Sequence, residues 1–241
     1  MLTVLAVEAR KLNRSLAGLL ALLAPSLIPV FTFFNLMRGE RGMPWEIVLT
    51  SGLAIWAFFM LPMSVTALTA LVAHMEHGSR SWDHLRALPI PRWRIYAAKL
   101  ICVLGLVAAM SLLMLGLTWG AGVLAGFVKP AVAPTGAIDW TEQLTVLGRM
   151  GLAALLLIAI QLWTALRFAS FVPALSIGIF GTFFSTVATS AKMGVFFPWQ
   201  MPVNMLATES WRADTALALG GGVGALALIA MLIHLSRREV L

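Results

Sequence analysis

Long apolar runs alternate with short polar stretches along almost the whole chain. A helix that crosses the hydrocarbon core needs about 20 apolar residues, so each long run predicts a span. The first span is Leu16 to Leu36, with Pro25 and Pro29 inside it as expected kinks. The apolar stretch from Ser15 to Met37 exceeds the roughly 7–15 residues of a secretion-signal core. The second span is Ile47 to Ala73 and carries Pro62. The third is Ala97 to Ala125, and the fourth is Leu144 to Leu166, with Arg149 near one end and Gln161 well inside. The fifth is Phe171 to Ala191 and the sixth is Thr215 to Leu235. Between these last two, Val195 to Trp211 contains F-F-P-W-Q-M-P, too short and broken for a span, and reads as interfacial or re-entrant. Ahead of the first span, Leu2, Leu5, Ala6, Ala9 and Leu12 fall on one helical face, and Glu8, Arg10, Lys11 and Arg14 take the wet side. The predicted fold class is an all-α polytopic membrane protein. It has six transmembrane helices, an N-terminal amphipathic helix, and one transmembrane domain over residues 1–241.

The longest polar segment is His74 to Lys99, between the second and third spans. Trp82, Leu85 and Leu88 fall at i, i+3, i+6, the apolar stripe of one short helix. Arg80, Asp83, His84 and Arg86 cover its other sides, with Arg80–Asp83 and Asp83–Arg86 as i,i+3 pairs of opposite sign. Pro89 and Pro91 stop it. Two readings stand for Trp82: an interfacial anchor, or a rigid knob seated in a partner's groove. Glu76 is either solvated or paired with a base such as Arg80 or Lys99, which would fix the angle between span and loop. Glycine pairs mark close helix contacts, within the subunit or at a dimer seam: Gly116 with Gly120, and Gly220 with Gly224.

Composition sharpens this picture. Sixty per cent of residues are hydrophobic and 11% are charged, too few charges to cover a water-soluble domain of this size. The net charge of +7 fits basic loops beside anionic lipid rather than nucleic acid. With the N-terminus in the cytoplasm, eleven of the seventeen Lys and Arg residues fall on inner positions, which places both termini and the His74–Lys99 loop inside. The single cysteine, Cys102, lies in an apolar run and reads as a packed or lipid-facing thiol.

Several chemistries are missing from the sequence. There is no Gly-Lys-Ser/Thr phosphate loop, no H-E-x-x-H and no G-x-S-x-G. His74, Glu76, His77 and His84 have no fixed ligand spacing and read as titratable residues at a wet helix end rather than as a metal site. Nearly all charges sit at span ends, which argues against a proton relay or intramembrane catalysis. Any transport must draw its energy from elsewhere. A stand-alone integral protein, such as a secondary transporter, membrane enzyme or assembly factor, is the competing class.

The run E-H-G-S-R-S-W-D-H-L-R-A-L-P-I-P-R-W-R-I-Y-A-A-K resembles the loop after the second span of ABC-2 type permeases, the membrane subunits of a class of ABC transporters. In that family an acidic residue closes span two and a short coupling helix follows. A leucine, a proline, a basic residue and a lysine then lead into span three. Glu76, Trp82, Leu85, Leu88, Pro89, Arg92 and Lys99 stand in those places. The small size and short outer loops are similar to the lantibiotic-immunity and bacitracin-resistance branch. The resemblance implies a cytoplasmic ABC ATPase that binds ATP and Mg, with no cofactor on this chain. Glu76, Arg80, Trp82, Leu85, Arg86 and Leu88 would form or flank the coupling contact. It also implies a second permease subunit, identical or a sister chain, in a bacterial plasma membrane, and export of an amphiphilic peptide or lipid-like substrate. On that reading the chain is a transport subunit and not itself an enzyme.

Overall fold

The computed structural model describes residues 1–13, 15–77, 89–189 and 191–237. Every regular element among them is helical. Helix α1 is Leu2–Leu12, and α2 is Leu16–Arg38. The Ser15 side chain caps α2 by accepting from the Gly18 N–H at 3.3 Å. Pro25 and Pro29 lie inside α2, which continues through both. Helix α3 spans Trp45–His77 and includes a π-turn at Trp56–Met60, just ahead of Pro62. A widened turn there accommodates the carbonyl that the proline leaves without a donor. Helix α4 spans Arg92–Val128. Its 37 residues make a rod of ~55 Å, well beyond a ~30 Å hydrocarbon core, so one or both ends must project.

Helices α5 (Trp140–Ala153) and α6 (Leu155–Arg167) meet at a bend of 42°. The apolar run predicts one span from Leu144 to Leu166, and the structure breaks that run into two helices. No proline lies at the bend. Instead α8, Ser210–Arg237, presses on it from the side. A Cβ on Gly220 would overlap the Ala153 backbone, and one on Gly224 would meet Leu155 and Leu156. Backbone-to-backbone packing of this kind needs glycine. Helix α8 has its own π-turn at Ala218–Val223, on the same glycine run. Helix α7, Val172–Ala188, sits between α3 and α6, with Gly178 against Thr66. Gln161, on α6, sets its amide against the Ala174 carbonyl and the Gly178 N–H; with its nitrogen turned to the carbonyl it donates there at 3.1 Å and accepts from Gly178 at 3.0 Å. This deep amide therefore ties α6 to α7.

Among the described residues, four helices are long and apolar enough to cross a membrane: α2, α3, α4 and α8, and the bent α5–α6 pair makes five. Helix α7 has 17 residues, ~26 Å, short of the usual core thickness. The outward faces are greasy. Leu19, Leu23, Leu27, Phe31 and Phe34 on α2 are all exposed, and only 28% of the apolar window of α8 is covered by protein. Such faces match lipid rather than water. Inside, α2 turns Ala17, Ala21, Ala24 and Ile28 toward the bundle and packs along α4.

The connections at one end of the bundle are stitched together. Trp45 donates its backbone N–H to Thr135 O at 2.9 Å, Thr135 returns a bond to Met43 O at 3.0 Å, and Lys129 Nζ reaches Gly39 O at 2.8 Å. The expected test of the glycine seam is a pair of variants. Gly220→Leu should lower the unfolding temperature in detergent by the equivalent of about 1–3 kcal/mol, because backbone must move. Gly148→Ala on α5 has open space around it and should be neutral or raise it slightly, since alanine is the better helix former.

Candidate functional site

The buried charged residues, Glu8, Glu76 and Lys99, lie at the end opposite the stitched loops. Helix α3 ends at His77 and α4 begins at Arg92, so Glu76 and Lys99 stand on either side of the loop. Lys99 lies two turns into α4 and is fully buried, at 0% exposure. Its Nζ donates to Glu76 Oε1 at 2.9 Å and to Glu8 Oε2 at 2.7 Å. Lys11 completes the square. Its Nζ donates to Glu8 Oε1 at 2.9 Å and to Glu76 Oε1 at 2.8 Å. Two carboxylates and two ammonium groups thus form four ion pairs within one cluster.

The cluster joins three separated pieces of chain: α1, the last turn of α3, and the first turns of α4. Helix α1 is oriented by Leu12, which is buried in the main apolar core, and by its packing along α4. That orientation turns Glu8 and Lys11, one helical turn apart, toward Glu76 and Lys99. The sequence reading put Glu8 on the wet side; the structure buries it at 4% exposure. The charge rule for interfacial helices assumes water on the polar face. Here protein occupies it, and the cations of α1 and α4 replace the lost hydration. The pairing of Glu76 with Lys99 is the outcome in which the loop ends are fixed relative to one another. A sequence signal for the missing half existed. Glu8 and Lys11 are an i,i+3 pair of opposite sign, and Lys99 is a lone charge in A-A-K-L-I-C that needs a partner.

The electrostatics close locally, since the four formal charges sum to zero. Burial of Lys11 favours its neutral form most strongly, yet the hydrogen bonds to Glu76 and then Glu8 outweigh it and raise its pKa above the ordinary 10.5. A raised lysine pKa adds stability that is complete below 10.5 and is lost only as pH climbs through the higher folded value. The contribution of Lys11 is therefore constant at neutral pH.

The other predicted site residues fall as follows. Arg80, Trp82, Leu85, Arg86 and Leu88 lie outside the described residues. Gly220 and Gly224 pack on the α5–α6 bend, within this chain. Gly116 and Gly120 have open space where a Cβ would stand. Gly120 instead lines an apolar groove of about 400 Å³ between α2 and α4. His74 packs its ring edge-on against Phe171. The 195–211 segment folds back on the opposite end of the bundle in two short turns, Lys192–Phe196 and Val203–Leu206. Trp199 fills the space at Gly181, Gln200 Nε2 donates to Ser185 O and Thr189 Oγ1, and Arg212 Nε donates to Asn204 Oδ1 at 3.0 Å. It is a packed cap between α7 and α8.

Removing one member of the cluster leaves a buried charge without its counterpart. Lys99→Met should therefore cost about 3–5 kcal/mol of stability, read as a lower unfolding temperature in detergent. Lys11→Ala should cost clearly less, because its side chain is 31% exposed and water can replace the lost partner. Equal losses would mean that the burial is not real.

Comparison with known proteins adds the family. No curated protein and no solved structure matches the chain. A family model described as ABC-2 family transporter protein matches residues 4–185, from within α1 to within α7, and takes in all four members of the charge cluster. With about three quarters of its length matched, this chain belongs to the ABC-2 family of transporter proteins and is a multi-helix membrane component of a transport system.

Proposed function

We propose that this chain is the membrane-spanning permease subunit of an ATP-driven exporter whose ATP and Mg are bound by a separate cytoplasmic ABC ATPase. The observation that carries the proposal is the buried square of Glu8, Lys11, Glu76 and Lys99. It holds both ends of the 78–88 loop and the N-terminal helix in one unit. A push delivered to that loop moves α1, α3 and α4 together instead of bending a flexible connector. In this reading the segment from Ser79 to Leu88 is the coupling helix, with Trp82, Leu85 and Leu88 as the apolar contact to the ATPase and Arg80 and Arg86 beside them.

The proposed topology has six spans. The α5–α6 pair crosses as one broken span and α7 as a short one, with both termini and the charge square in the cytoplasm of a bacterial plasma membrane. Family membership and the outward apolar faces support this placement. A second permease copy, or a sister chain, seats on the α2–α4 groove, where Gly116 and Gly120 leave room for close approach. The substrate class is an amphiphile, a membrane-active peptide or a lipid-like molecule, taken laterally from the bilayer. No cofactor is assigned to this chain.

Three measurements test the proposal. Co-expression with the adjacent ATPase should give a complex in mild detergent. Trp82→Ala and Leu85→Asp should each reduce retention at least tenfold, while Arg41→Glu at the other end leaves it intact. Second, Glu8→Leu combined with Lys99→Met removes a balanced pair and leaves Lys11 with Glu76. That double variant should fold and bind the ATPase yet lose most substrate-stimulated transport. Full transport by it would show that the square is packing alone. Third, Gly120→Cys in a Cys102→Ser background should cross-link between subunits in the membrane; a monomer with undiminished export would end the dimer assignment.

A further inference from the structure

A second feature lies apart from the charge square. Helices α6 and α8 run side by side in the same direction, with Gly224 beside Leu155 and Leu156 and His234 beside Trp163. Between them is an open groove of about 390 Å³. Its floor is apolar: Ala159, Ile160, Ala227 and Met231. Its mouth is not. Trp163 Nε1–H donates to His234 Nδ1 at 3.0 Å. A nitrogen that accepts carries no proton, so the neutral ring bears its proton on Nε2 and offers a second donor. Arg167 lies four residues beyond Trp163 and Arg237 three beyond His234, so each follows on the same helical face one turn nearer the water. The Arg167 guanidinium stands over the Phe168 ring at 5.7 Å.

We infer that this groove is the seat of an anionic phospholipid. The phosphate lies among Arg167, Arg237 and the His234 Nε2–H, and one acyl chain runs along the alanine-lined floor. Basic pockets between helices at a membrane surface recognise anionic head groups through these charge-assisted bonds. The floor supplies no polar partner and matches a hydrocarbon chain. Two arginines at two helix C-termini also answer the helix dipoles. The imidazole and the groove beneath it are what the dipoles do not explain. The inference needs only that these helices face lipid, and stands independently of the coupling role of the charge square.

Native mass spectrometry of the full chain released from detergent tests it. With phosphatidylglycerol and phosphatidylcholine supplied equally, the wild type should retain phosphatidylglycerol at least fivefold more. His234→Ala with Arg237→Ala should abolish the preference, and Ala230→Trp, which fills the groove, should remove the tightly held lipid altogether. Arg41→Ala, an exposed arginine at the other end, should change nothing. Helical circular dichroism confirms that each variant is folded. Equal retention of the two lipids, or an equal loss with Arg41→Ala, overturns the inference. So does a chain that is dimeric as the wild type and monomeric as Ala230→Trp, since a second copy would then occupy the groove.

Discussion

Three buried charges, with a fourth at the water's edge, dominate the architecture of this protein. A buried ion pair is a poor source of stability, because the hydration lost by both partners cancels much of the attraction. It is a good source of position. Lys99 has no exposed surface and reaches two carboxylates from two different segments. Its ammonium group tolerates no arrangement in which either carboxylate is elsewhere. The apolar helices around it have only a few neutral ties, such as Trp56 to Ser111, to fix register. Their surfaces are hydrocarbon against hydrocarbon, and lipid tails compete with them on equal terms. The square thus sets where α1 sits, how α3 ends and how α4 begins, and packing fills in the remainder.

The rest of the bundle is fixed by shape. Small residues on α2 face α4, glycines on α8 meet the backbone of α5 and α6, and Gly178 admits Thr66. Backbone irregularities are tolerated inside a membrane only where protein covers them. The π-turn of α8 abuts the α5–α6 bend, and the π-turn of α3 is held by Trp56 Nε1, which donates to Ser111 Oγ of α4 at 3.1 Å. Each break in helical regularity is thus covered by a neighbouring helix.

Much of this was legible in the residues. Apolar runs locate α2, α3, α4 and α8 within a few positions, because lipid imposes a length that periodicity need not supply. The loop between Glu76 and Lys99 stood out by polarity alone. Three things did not show. The bend at Ala154 has no proline; glycines far along the chain, Gly220 and Gly224 of α8, pack against it. Glu8 looked solvated, because an amphipathic pattern says which face is polar but not whether water or protein meets it. The length of α7 hides in a run that continues apolar past its end, into a segment that turns back as a cap instead of extending the helix.

The polar groups within the described spans are satisfied locally. Thr66, Thr69, Ser111, Thr118, Thr164 and Thr182 each direct the hydroxyl proton to a carbonyl one turn back on their own helix. Gln161 is spent on α7. These groups present no chain of exchangeable protons and no charge to move through the field. The ionisable groups that do reach the interior, Glu8, Glu76 and Lys99, sit at one end and neutralise each other together with Lys11. Each charge is held by partners from another segment, so the square behaves as a mechanical joint. A joint of that kind transmits displacement. On the proposed function, it stands where displacement from the ATPase would arrive.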